Sequence, residues 1–178
     1  MTAHPAGSVD DVVSGRSVSH WLARAAREIL PPDAGGVRTT GFAACSLSAD
    51  KQAAGEARRF TRSTLSGWQM GPLVDNVALI VSELLSNALR YGLADTARNG
   101  DQAAVPPRPV RLGLLHRGQT VLCAVCDLSS NVPVLRSPDY LAQSGRGLHI
   151  IDSLSESWGW TTPNPAGKAV WAAVSSSK

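Results

Sequence analysis

The chain has 178 residues, the length of one domain or of one domain with an extension, and at 43% hydrophobic and 17% charged it can bury a core and is not disordered overall. No window approaches ~18 uncharged apolar residues and no basic start leads into an apolar run, so neither a membrane partner nor a secretory signal is expected. Three cysteines are too few for a disulfide framework, which makes the reducing cytoplasm the expected location, and the formal net charge of +3 is scattered along the chain.

Residues 1–36 read as an N-terminal extension. Within it, residues 17–30 place Val18, Trp21, Leu22, Ala25, Ala26 and Ile29 at helical spacing, and Pro31-Pro32 with Gly35-Gly36 read as a linker. The body, residues 37–178, opens with a predicted strand over 38–47 and a helix over 53–65. That helix carries the densest basic group, Arg58, Arg59 and Arg62, beside Glu56. With aromatics at 5% and no interleaving of basic and aromatic residues, the group reads as a solvated face, and no direct nucleic-acid partner is expected.

A long helix is predicted over 72–91, with Pro72 in its first turn and Gly92 just past its end. From Leu73 to Leu89 its only formal charges are Asp75 and Glu83, so most of its surface is expected to be buried. Asn76, Glu83, Asn87 and Arg90 nevertheless share roughly 60° of arc. An unpaired carboxylate is costly to bury, so this stripe reads equally as a Glu–Arg pair at a rim or as the lining of a cleft.

After a polar, Pro-rich stretch over 93–109, two strands are predicted over 110–117 and 120–127, joined at hairpin spacing by Gly118-Gln119. Asp127 ends the second strand, where a carboxylate either accepts a hydrogen bond from a ligand amino group or caps a turn. The segment 129–145 is long for a structureless connection, and such loops are commonly lids. Gly145-Arg146-Gly147-Leu148 then opens a helix predicted over 147–157. Amides at a helix N-terminus attract anions and Arg146 adds a bidentate donor, although such a glycine pair alone more often marks a tight turn. Two strands over 157–162 and 169–175 complete an α+β, two-layer sandwich with a mainly antiparallel sheet. Cys123 and Cys126 match a redox spacing, but residues three apart on a strand point to opposite faces and read as core.

Taken in order, Glu83-x-x-x-Asn87 on a helix, Asp127 after a strand and Gly145-x-Gly147-Leu148 opening a helix resemble the GHKL (Bergerat-fold) ATPase superfamily. Within it the chain is most similar to the anti-sigma factor serine/threonine kinases and their actinobacterial relatives. The strings Val81-Ser82-Glu83-Leu84-Leu85-Ser86-Asn87-Ala88, Trp158-Gly159 and Gly167-Lys168-Ala169-Val170-Trp171 fit that group, and the resemblance spans about residues 38–175. It implies a Bergerat fold with a mixed, mainly antiparallel sheet, and an ATP·Mg²⁺ site. By that analogy Glu83 acts as general base or orients the attacking group, Asn87 helps hold Mg²⁺ and Asp127 reads the adenine amino group. Gly145, Arg146, Gly147 and Leu148 surround the phosphates.

The activity so implied is that of an anti-sigma factor that sequesters a sigma factor and phosphorylates an anti-anti-sigma (STAS-type) partner on serine. Relatives of this kind often act as homodimers. Two positions depart from the family pattern. Residues 127–131 carry no glycine, and Ala169 stands where a threonine that assists adenine binding is expected. The second departure predicts a loss of about 0.5–1.5 kcal/mol in nucleotide binding. The alternative is a non-catalytic interaction module of the same fold with weak or no nucleotide binding. A sensor histidine kinase is a poor fit, because 36 preceding residues are too few for a sensor and a dimerisation helix pair.

Overall fold

In the computed structural model the described residues are Trp21, Leu22 and Ala26 together with 39–98, 109–134, 146–163 and 167–176. The elements run β1 (Thr39–Leu47), α1 (Ala53–Gly67), a 3₁₀ turn (Gly71–Leu73), α2 (Val74–Arg98), β2 (Val110–Arg117), β3 (Thr120–Asp127), α3 (Gly147–Leu154), β4 (Ser157–Trp160) and β5 (Lys168–Ser175). The strands form one sheet in the order β1-β2-β3-β5-β4, antiparallel at each pairing. Helices α1, α2 and α3 pack on one face of this sheet. This is the two-layer α+β architecture expected of a Bergerat fold.

Helix α2 is the centre of the core. Val77, Ile80, Val81, Leu84 and Leu85 are fully buried, and they meet Val121, Cys123 and Val125 of β3 with Val170, Ala172 and Val174 of β5. The stretch Gly71–Tyr91 has the length and hydropathy of a membrane-crossing helix, but its apolar side is spent on this sheet. The helix runs on through Gly92 to Arg98 instead of ending before it. A single glycine costs a helix only about 1 kcal/mol, and Leu93, Ala94 and Ala97 beyond it favour continuation. Helix α3 ends at Leu154, short of the expected residue 157, because Ser155 turns extended and Glu156 N–H bonds to Ala173 O, starting the β4 pairing.

Alternation along β3 assigns its residues to two faces. Cys123 lies in the helix-side core, whereas Cys126 packs with Ala169 and Trp21 on the other face, so the two thiols do not converge. Burial pushes the Cys123 thiol up to about 12. Part of the second face is covered by Trp21, Leu22 and Ala26. Trp21, Leu22 and Ala26 are helical, with Ala26 against Leu115, Leu122 and Ala173. Arg111 lies 5.7 Å from the Trp21 ring centroid and donates to Cys126 Sγ at 3.3 Å. Leu22 is fully buried, and its side chain fills the space that any side chain at Gly113 would need.

Leu22→Ala is therefore expected to cost about 2–4 kcal/mol, read as a lowered urea midpoint. An unchanged midpoint would show that the segment does not hold the sheet.

Candidate functional site

The site forms where the middle of α2 meets the start of α3. Glu83 and Asn87 lie one turn apart on α2, on the side not committed to the sheet, and both are half-buried. Helix α3 is set against them by Ile151, which is fully buried in the core. Its far end is fixed by Ser155 Oγ donating to Ile151 O at 2.7 Å and by Trp158 Nε1 donating to Asp152 Oδ1 at 2.9 Å. This anchoring brings Gly147, the first residue of α3, directly onto the α2 pair. A methyl group added at Gly147 would stand 2.7 Å from Glu83 Oε2 and 3.8 Å from Asn87 Nδ2. Glycine at this position lets the Glu83 carboxylate approach the backbone closely, and a side chain there would displace it.

Among the described residues, neither Glu83 nor Asn87 makes a side-chain hydrogen bond or ion pair. Arg90 is exposed and, among the described residues, makes no ion pair with Glu83, so the rim-pair reading of the stripe fails. Asn76, the fourth member of the stripe, is exposed at the opposite end of α2, beside a cleft of about 310 Å³ lined by Leu73, Ser153 and Glu156. Arg146 is exposed immediately before α3, whose first turn carries no side-chain cap, and Leu148 packs against the core. Gly145 lies outside the described residues.

Asp127 sits on the same side of the sheet, at the end of β3, and is buried. Its Oδ1 accepts from Ser129 N–H at 2.7 Å and from Lys168 Nζ at 2.8 Å. Lys168 is the directly opposed residue on β5, and its Nζ also donates to Ser129 O at 3.2 Å. Ser129 Oγ in turn accepts from Asn131 N–H at 3.0 Å. The turn after Asp127 is therefore shaped by side-chain hydrogen bonds rather than by glycines. Gly167 is in the left-handed region at φ 101°, and any side chain on it would strike the Asp127 carbonyl. That contact is what the glycine before Lys168 serves.

Residues 47–174 match the histidine kinase-like ATPase domain family. The chain belongs to that family. By fold, this ATPase domain is similar to the RsbU and RsbW domains of Rv1364c from Mycobacterium tuberculosis, with a TM-score of 0.50 at 16% identity over 76% of the chain. The chain spans 32% of that neighbour's length. Among curated proteins no match to the sequence is found.

An ATPase domain implies bound ATP, typically with Mg²⁺, and the residues at the α2–α3 junction fit both. Two partly buried polar side chains lack partners among the described residues, the glycine beside them leaves their space open, and the amides of an uncapped helix turn stand alongside. Asn87 offers a hard oxygen ligand. Among the described residues no group of three His, Cys, Asp or Glu side chains converges, so a metal here would take its remaining ligands from phosphate and water.

Two points of the sequence reading change at the sheet end of the site. Ala169 faces away from it, toward Cys126 and Trp21, so a hydroxyl at that position would not reach Asp127. The residue beside Asp127 is Lys168, which the sequence reading left unassigned. Its only sequence signal is its place next to Gly167, since the β3–β5 register is set by pairing between segments far apart in the chain.

The side chains of Lys168 and Asp127 are 3% and 5% exposed. Lys168→Met alone should cost about 3–5 kcal/mol by stranding a buried carboxylate, while Lys168→Met with Asp127→Leu should recover at least half of that. Chemical denaturation of the two single variants and the double variant checks it. Strictly additive losses would rule out a buried ion pair.

Proposed function

We propose that this ATPase domain is an ATP-dependent protein serine/threonine kinase and anti-sigma factor, acting in the cytoplasm as a regulator of transcription. It would bind a sigma factor and phosphorylate an anti-anti-sigma, STAS-type partner on serine. The domain proper is residues 37–178, with residues 1–36 as an extension. The observation that carries the reading is the unpartnered Glu83–Asn87 pair held open by Gly147. The resemblance to anti-sigma kinases and the fold shared with a chain that contains an RsbW domain agree with it.

In this reading each residue has one task. Glu83 accepts the proton of the attacking serine hydroxyl as its oxygen bonds to the γ-phosphorus, while the bond from that phosphorus to the bridging oxygen of ADP breaks. Asn87 holds the metal. Asp127 reads the base. Arg146 and the first amides of α3 hold phosphate oxygens, with Gly145 at their approach, and Leu148 pins the helix that presents those amides. Bound Mg·ATP supplies the phosphoryl group and offsets its charge.

Calorimetric titration of Mg·ATP, followed by transfer of labelled γ-phosphate to a cognate partner, tests the two halves separately. Asn87→Ala should weaken Mg·ATP binding by about tenfold or more. Glu83→Gln should keep binding within about threefold while lowering transfer by about 10²–10⁴. Mg·ATP binding without transfer to any cognate partner would leave the domain a nucleotide-binding interaction module.

A further inference from the structure

The Asp127–Lys168 pair changes what the base-reading end of the site can recognise. A purine presents two adjacent groups on the edge that a carboxylate reads. Adenine offers an amino donor at C6 beside an acceptor at N1. A 6-oxopurine, guanine or hypoxanthine, offers the reverse, an acceptor at O6 beside an N1–H donor. A carboxylate alone complements the adenine amino group. A carboxylate flanked by an ammonium presents acceptor and donor side by side, which complements the 6-oxopurine edge.

That juxtaposition is built into this chain. Asp127 and Lys168 are directly opposed across β3 and β5, on the helix-facing side of the sheet, with Nζ 2.8 Å from Oδ1. The carboxylate oxygen nearest the ammonium already takes two donors, Lys168 Nζ and Ser129 N–H. Lys168 Nζ has three N–H groups, of which two are directed at Asp127 Oδ1 and Ser129 O. The third has no partner among the described residues. Burial of both side chains and the tight passage of Gly167 past the Asp127 carbonyl keep the ammonium from swinging out to solvent. An adenine amino group arriving here would set one donor against another, whereas O6 would accept the remaining ammonium proton as N1–H bonds to the carboxylate.

We propose that Lys168 is a specificity-determining residue that opens this nucleotide site to 6-oxopurine triphosphates, so that it binds GTP and ITP on a par with ATP. The inference rests on the reading of Asp127 as the base-reading carboxylate in a nucleotide site. The experiment is calorimetric titration of the full chain with Mg·ATP, Mg·GTP and Mg·ITP, repeated on Lys168→Thr and Lys168→Met.

In the wild type, GTP and ITP should bind within about tenfold of ATP or more tightly, and a preference for ATP beyond that overturns the proposal. In a folded Lys168 variant the ratio should move toward ATP by about tenfold, and an unchanged ratio overturns it equally. If removing one member of a buried ion pair prevents folding, the wild-type ratio decides alone. Failure of all three nucleotides to bind overturns the nucleotide-site reading itself, a result distinct from binding of ATP alone.

Discussion

Helix α2 is clamped to the sheet by five fully buried side chains, Val77, Ile80, Val81, Leu84 and Leu85, that meet alternate residues of β3 and β5. A helix held this way has no rotational freedom. Turning it by one residue, about 100°, would carry Glu83 into the apolar layer and Leu85 out of it. The directions of Glu83 and Asn87 are consequences of that packing rather than of any bond they make. Helix α3, anchored separately through Ile151, then meets α2 at its one glycine. The functional junction is thus a meeting of two independently buried elements, and its precision comes from the core.

The sheet contributes by parity. Because side chains alternate along a strand, Val121, Cys123, Val125 and Asp127 share the helix-facing side, and Val170, Ala172 and Val174 share it with Lys168. The polar pair therefore continues the line of the apolar core to the end of the two central strands. The next residue on each strand, Cys126 or Ala169, belongs to the other face and to the contacts of Trp21. One chain of alternation separates a polar site from an apolar docking surface by a single residue.

Much of this was legible in the sequence where the signal is local. The hairpin β2–β3 has the bounds its turn and alternation imply, Val110–Arg117 and Thr120–Asp127. Glu83 and Asn87 are neighbours because helical spacing makes them so, and Gly147 stood out as a glycine opening a helix. What was not legible depends on pairing between distant segments. Nothing near Lys168 says that it faces Asp127, since 41 residues separate them and only the β3–β5 register joins them. The same holds for Leu22 and the Gly113 socket. Gly92 misled for a different reason. As a helix-ending residue it is a weak stop when good helix formers follow, and α2 passes through it.

The two ends of α3 are held very differently, and that difference has a dynamic consequence. At its C-terminal end Ser155 closes the last turn by both N–H and Oγ, and Trp158 ties down Asp152. At its N-terminal end there is no side-chain cap, and the first residue is glycine, whose backbone has the most conformational freedom to lose. Fraying concentrates at weakly held ends, so the first turn of α3 is the less constrained of the two. The part of the helix that borders Glu83 is therefore the part with the most freedom to adjust. Its anchor, Ile151, lies about one turn away.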